Sequence, residues 1–423
     1  MTGLFFLAIY VGIFVVAFLI ITKVVQKASN DYTSLKTVTF GDESAVRPNR
    51  YAGVISILTI FVMWGMFTGS NLLPSFLHAP GPFEGTTSFT YTAEANGETD
   101  DATVSIIVHP RDVETKPAEV APGEGFAKDD SVAVAQWRTK VINVAGNDEI
   151  SKKDGNTVVA INGKKVRPGD KVSVDGGTVT LTDKGTPNFA PTKGWQMEPL
   201  YLPAPEAVWA RTIRIAKEGF RDYTLLEHLG YSLFRVIVGF LLGALVGVPL
   251  GYAMGLSNWF RGWFDPIVEF MRPVPPLALI PLIIIWFGIG ETGKIILLFL
   301  AALWIMAIAA RSGVSGVNIS KVHAAYSLGA SKWQIMRYVI VPNSLPEIFT
   351  GARVAMGVCW GTVVAAELVA ASQGVGMMIM TASKFQNTDI VIMGITLIGI
   401  IGFGIDMLVR WAERFLVPWK GKG

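Results

Sequence analysis

Three groups of residues in this 423-residue chain have types and spacings that suit a specific task. The first is the polar, basic stretch His323–Arg353, set between two apolar segments. Its small residues Ala324, Ala325 and Ala330 allow close approach. Gly329 suits a positive φ that breaks one short helix into another. Ser331-x-x-Gln334 reads as a capping box opening the second helix. Pro342 and Pro346 are expected to end that helix before the chain re-enters an apolar run. Such a helix–turn–helix is a peg for mechanical docking of a partner. The second group is Arg353, Trp360 and Glu367 in one apolar segment. Arg353 and Glu367 are spaced by nearly four helical turns, so both can share a face. Charges at membrane depth are costly, so each is a candidate either for pairing at an interface or for direct substrate contact. The third is Arg272 followed by Pro273, Pro275, Pro276 and Pro281. Missing proline donors leave carbonyls unpaired, which a membrane tolerates only beside protein or a water-filled path. Arg272, Pro275, Pro276, Arg353, Trp360 and Glu367 are therefore the candidate pathway residues. Glu269 and Arg272 stand one turn apart and are expected to pair.

Several chemistries lack their residues. There is no Gly-x-x-x-x-Gly-Lys-[Ser/Thr] loop to cradle ATP, no nucleophile elbow and no His-Glu-x-x-His helix. No second ligand lies at metal-binding spacing from His323. No catalytic or metal-ligating residue is expected, so energy for any work must come from another subunit.

The composition, 51% hydrophobic and 16% charged, is that of a polytopic membrane protein with some soluble mass. A net charge of +3 does not point to nucleic acid. The lone cysteine, Cys359, permits no internal disulfide and is expected to pack as a small apolar residue. Seven apolar segments stand out, near 3–22, 51–70, 230–255, 266–288, 294–311, 352–371 and 390–409. The first has no basic flank before it and no small-residue cleavage site after it, and reads as a retained membrane helix. Lys23, Lys27, Lys36, Arg47 and Arg50, then Arg311, Lys321, Lys332 and Arg337, then Arg410, Arg414, Lys420 and Lys422 all fall on the cytoplasmic side in one topology, with the N-terminus outside. The row Gly239, Gly243, Gly247 and Gly251 favours close helix packing.

Residues 80–195 differ in kind. Alternating runs Ser88–Thr92, Ala102–Val108, Val132–Ala135, Val158–Ile161, Val172–Val174 and Thr178–Thr182 are separated by Asn-Gly, Asp-Gly and Gly-Gly turns. They predict antiparallel strands in a sandwich. With 17 acidic and 12 basic residues over 80–190, this region carries a net −5. The topology places it outside the cytoplasm. It resembles bacterial cadherin-like and Ig-like repeats, in permuted order, so that its first hairpin completes a sheet begun by later strands.

The spacing in the first stretch, with Gly329, Val339, Val341 and Pro342 at set offsets from Ala324–Ala325, resembles the signature loop of ABC importer permeases. His323 stands where that family usually has Glu, a change expected either to weaken a salt bridge to the ATPase or to make coupling pH-sensitive. Residues 200–418 resemble the nitrate/sulfonate/taurine group of these permeases. The resemblance is carried by Leu202-Pro-Ala-Pro205, Ser232-Leu-Phe-Arg235, Pro249-Leu-Gly251, Arg272-Pro-Val-Pro-Pro276, Ile285-Trp-Phe-Gly-Ile-Gly290, Leu328-Gly-Ala-Ser331 and Ala365-Ala-Glu-Leu368. It implies a type I importer core of an α-helical membrane protein, here with about seven membrane helices and an inserted all-β sandwich. The expected organisation is an added helix and cytoplasmic connector at 1–50, a first core helix at 51–79, the β insertion at 80–195, and the core at 196–423 with its coupling loop at 312–346. The resemblance further implies a permease in the cytoplasmic membrane, importing a small anion or organosulfonate. Taurine or another sulfonate comes first, then nitrate or bicarbonate. It is expected to work as a homodimer with two cytoplasmic ATPases, which bind the ATP and magnesium, and a periplasmic binding protein. The coupling-loop residues are then His323, Ala324, Ala325, Gly329, Ala330, Ser331, Gln334 and Pro342. A membrane-anchored adhesion or sensor protein acting through its β domain is the alternative; it has no output domain and does not need so many helices.

Overall fold

The computed structural model describes residues 2–26, 50–111, 113, 115–121 and 123–419. Lys27, Lys36 and Arg47 of the expected basic connector, and Lys420 and Lys422 of the tail, lie outside them. The chain divides into two compact units, Met1–Glu206 and Ala207–Gly423.

In the first unit, helices α1 (Thr2–Gln26) and α2 (Arg50–Thr68) meet, with the rings of Tyr10 and Phe67 4.4 Å apart. Among the described residues nine strands follow: β1 (Gly85–Ala95), β2 (Glu98–His109), β3 (Asp130–Ala135), β4 (Lys140–Val141), β5 (Thr157–Ile161), β6 (Lys164–Lys165), β7 (Lys171–Val174), β8 (Gly177–Leu181) and β9 (Pro187–Pro191). They form one sheet ordered β3-β2-β1-β5-β6 and a second ordered β4-β9-β8-β7. Alternation on β1 buries Phe89, Tyr91 and Ala93, and on β2 Val104, Ile106 and Val108. Val179, Leu181 and Phe189 of the second sheet join them in one core. The first hairpin turns at Asn96–Gly97, both at positive φ, as its Asn-Gly pair requires. That hairpin lies in mid-sheet, with β5 on one side and β3 on the other.

Two expectations about the sheets change. The pairing is not all antiparallel, because β3 runs parallel to β2, with Val132 opposite Ile106. Strands β4, β6 and β9 exceed the six expected; two of them have two residues each, and β9 is bounded by prolines that disguise it. The two ends of the insertion are joined. Trp195 N donates to Pro80 O at 2.7 Å and Phe83 N to Thr192 O at 2.9 Å, while Ala79 N and Met197 N donate to Met66 O and Phe67 O of α2.

The second unit is helical. Leading in from α3 (Pro205–Glu218), it contains α4 (Leu225–Leu256), α5 (Asn258–Met271), α6 (Ile280–Phe287), α7 (Glu291–Ser315), α8 (Ile319–Ser327), α9 (Lys332–Ile335), α10 (Val341–Ala370), α11 (Val375–Lys384) and α12 (Thr388–Leu416). A Thr224–Glu227 capping box opens α4. Its glycine row lies on α7: a Cβ at Gly243 would stand 2.5 Å from the Ala302 Cβ, and one at Gly247 2.6 Å from the Leu303 carbonyl oxygen. Only glycine permits this approach. Cys359 is buried in the same core, beside Leu298, Val363 and Ala355.

Among the described residues, five helices are long and apolar enough to cross a membrane, or six if one bent pair counts as a single span; Ala8–Lys23 is apolar but shorter. The bent pair falls on the segment expected at 266–288, where the prolines pointed to a break. Asn258–Met271 and Pro276–Phe287 meet at 90°. Pro273, Pro275 and Pro276 lack the donors that would carry an α-helix through. Between the apolar segments expected at 352–371 and 390–409 lies a further helix, α11, which buries Val375, Gly376, Met377, Met378 and Ala382.

Candidate functional site

At one end of the second unit, α8 and α9 form the expected helix–turn–helix. Gly329 has φ +81° and ends the first helix. Ser331 Oγ accepts from Gln334 N, and Gln334 Oε1 accepts from Ser331 N, completing the capping box. His323, Ala324, Ser331 and Gln334 are exposed, Ala325, Ala330 and Pro342 are half-buried, and the tip presents apolar side chains to solvent. Leu328 is 89% exposed, and Tyr326, Trp333 and Tyr338 about 70%. Such a row beside Lys332 and Arg337 is suited to pack into another protein.

Pro342 and Pro346 do not stop the helix, contrary to the expectation. A π-helical turn at Met336–Ile340 passes straight into α10, which accepts Pro342 in its first turn and Pro346 inside. Pro346 has no N–H to offer the Pro342 carbonyl, which takes another donor, and side chains also bond neighbouring carbonyls of the same stretch. Trp419 Nε1 donates to Pro342 O at 3.1 Å, Asn343 Nδ2 to Val339 O at 2.7 Å and Ser344 Oγ to Val341 O at 2.9 Å. The second helix of the tip and the membrane helix thus form one continuous rod.

At the far end of α10 lies a buried ionic cluster. His228, Ser232 and Arg235 occupy one face of α4. Arg235 and Glu367 have fully buried side chains and meet at 2.6 Å from Nη1 to Oε1. The other edge of the guanidinium forks onto Glu291, with Nε 2.5 Å from Oε2 and Nη2 2.7 Å from Oε1. Lys294 Nζ lies 3.0 Å from the same Glu291 Oε1. Ser232 Oγ donates to Glu367 Oε1 at 2.8 Å. His228 Nδ1 accepts from Gly374 N, so the ring proton belongs on Nε2, 3.1 Å from Phe220 O. Gly374 has φ +122°, and a Cβ there would enter the Glu367 carboxyl. Charges so deeply buried persist only when paired and hydrogen-bonded, as these are.

The remaining candidates are spread along the unit. Arg353 pairs with Glu413 and Asp406 of α12, near the docking end. Trp360 Nε1 donates to Ile398 O of α12 at 3.1 Å. Arg272 and Glu269 are 3.7 Å apart, but Glu269 has a shorter contact, 2.9 Å, to Arg311 of α7, which also pairs with Asp265. Pro275 and Pro276 open the 3-10 turn at the 90° break. Arg353 and Glu367, nearly four turns apart on α10, have separate partners. Glu367 instead meets Arg235, Ser232 and Gly376, partners that sequence reasoning did not join to it. The available signal was a Ser–Arg pair one turn apart inside an apolar helix. Among the described residues no cluster of His, Cys, Asp and Glu is arranged to hold a metal ion.

With this geometry in hand, comparison with known proteins is informative. Residues 239–418 match the family of binding-protein-dependent transport system inner membrane components. The chain is 48% identical over 227 residues to the taurine transport system permease protein TauC of Escherichia coli strain K12, covering 53% of this chain and 82% of that protein. It is 32% identical over 190 residues to the nitrate import permease protein NrtB of Synechococcus elongatus, covering 44% of this chain and 68% of the relative. An inward-facing structure of the MetNI methionine ABC transporter is similar at 21% identity and a TM-score of 0.38, covering 44% of this chain and 94% of that one.

Proposed function

Because the chain belongs to the permease family of binding-protein-dependent ABC importers, in the nitrate/sulfonate/taurine group, we propose that it imports taurine or a closely related sulfonate. The 48% identity to a taurine permease carries this choice of substrate, ahead of nitrate or bicarbonate. The family works with an ATPase and a substrate-binding protein in the inner membrane. In our reading two copies of the chain form the translocation unit, and a cytoplasmic ATPase docks on each tip at Tyr326, Leu328 and Trp333. ATP and magnesium are bound by those ATPases and not by this chain.

The mechanism follows from the rod. Closure of the ATPase pair moves α8 and α9, and the unbroken passage through the π turn carries that motion into α10. The far end of the unit responds, and the pathway changes its side of access. The break at Pro275–Pro276 borders that pathway, as do Arg272, Arg353 and Trp360, with Glu367 acting through its partners. The acidic β insertion lies outside the cytoplasm and receives the binding protein. One experiment tests the substrate: proteoliposomes with the permease, its ATPase and its binding protein, offered labelled taurine with excess unlabelled nitrate or bicarbonate. Accumulation that nitrate suppresses as well as taurine does would move the assignment to the inorganic anion.

A further inference from the structure

We propose that Arg235 is a positioning residue that latches the α10–α11 connector at the end of the unit opposite the docking tip, and that Glu291 is the releasable half of the latch. The proposal rests on the permease reading. Glu367 lies 26 residues beyond the first residue of α10, about 39 Å along the axis at ~1.5 Å per residue. There the connector is held residue by residue. Gln373 O accepts from Arg235 Nη1 at 3.0 Å and Gly374 N donates to His228 Nδ1 at 3.1 Å. Val375 N donates to Ser232 Oγ at 3.1 Å and Gly376 N to Glu367 Oε2 at 3.0 Å. Four consecutive residues, the last two of the connector and the first two of α11, are thus bound through their backbone by four side chains, which restrains that end of the connector more than is usual for a loop. They also fix the start of α11, whose buried face follows.

The two halves of the guanidinium differ. Its Nη1 edge faces a carboxylate with no exposure, whereas the Nε/Nη2 fork faces Glu291, whose side chain is 42% exposed. Breaking the first contact would strand a buried charge, which proteins rarely tolerate. Breaking the second would not. Glu291 keeps Lys294 on its own helix, one turn away, and Arg235 keeps Glu367. Each side of the joint is neutral by itself, so the end of α7 can part from α4 and the connector without leaving an isolated charge. Below this level the glycine row locks α4 to α7 from Gly239 and Leu298 onward, so the opening is confined to the last turns.

Glu291→Gln in the complete complex tests this, because a partly exposed site tolerates an isosteric change. If the latch holds the resting state, loosening it populates the competent state without the binding protein. Basal ATP hydrolysis should then rise about tenfold while taurine transported per ATP falls, the scale set by weakening one charged hydrogen-bonded pair. Ser232→Ala should shift both readouts the same way, more weakly. A purely structural role predicts that basal and stimulated hydrolysis fall together with the amount of folded protein. That result, or transport per ATP equal to wild type in Glu291→Gln, would overturn the latch while leaving the permease reading intact. A wild-type complex in which taurine and binding protein do not stimulate hydrolysis would overturn the permease reading, and the latch with it.

Discussion

Arg235 and Asp130 are both ionisable groups set back from water, and their neighbours decide opposite outcomes. Arg235 has two carboxylates within hydrogen-bonding distance. Asp130, in the β domain, has Asp148 and Asp129 beside it and one carboxylate oxygen buried without a partner. Burial first, and then those two charges, push its carboxyl up to about 7. Burial likewise raises the Tyr91 phenol, whose hydroxyl lies against Asp148. A carboxyl raised by folding adds stability that is complete below its unfolded value of about 4 and is lost as pH rises through 7. The β-domain transition of the full chain, followed by calorimetry, should therefore move to lower temperature between pH 5 and pH 8. Asp130→Asn should remove most of that shift; an unchanged shift would reject the assignment. At this scale the sequence told only part of the story. Glu367 stood out as a charge in an apolar run, but its partner Arg235 lies 132 positions away, and no local pattern links them.

The elements divide into those that follow from local chemistry and those made by packing. The capping box at Ser331 and Gln334, the Gly329 break and the Asn96–Gly97 hairpin were legible because each needs only neighbouring residues. The continuation of the helix through Pro342 and Pro346 was not. It depends on the distant Trp419 satisfying the Pro342 carbonyl that Pro346 leaves free. Helix α11 was hidden as well, since ten residues leave little periodic signal. The α4–α7 contact makes a direct prediction. Gly243→Val should destabilise the detergent-solubilised protein by at least about 2 kcal/mol, as overpacking against Ala302 requires. Gly399, with nothing within 4 Å of an added Cβ, serves as control, and Gly399→Ala should be near neutral in the same thermal melts. Equal loss in both variants would mean that the glycine row does not set the helix spacing.

In the whole molecule, the β domain and the helical core have separate hydrophobic interiors. The composition break at residue 80 showed this division in the sequence; the partial parallel pairing and the three short strands needed the fold. The joined ends at Pro80 and Trp195 mean that a short linker can replace residues 82–194 without reaching across space. Such a deletion should lower binding-protein-dependent uptake and leave co-purification of the ATPase unchanged; loss of the ATPase would contradict the division of labour. If motion of the ATPase passes through the exposed tip, ATP-driven taurine accumulation in proteoliposomes depends on it, and wild type is to be compared with Leu328→Asp. Leu328 is 89% exposed, so the change spares the fold. Wild type should show strong ATP-dependent uptake and the variant a loss of about tenfold or more, with the ATPase released. Uptake that proceeds without ATP, or that Leu328→Asp leaves undiminished, would contradict coupling through the tip.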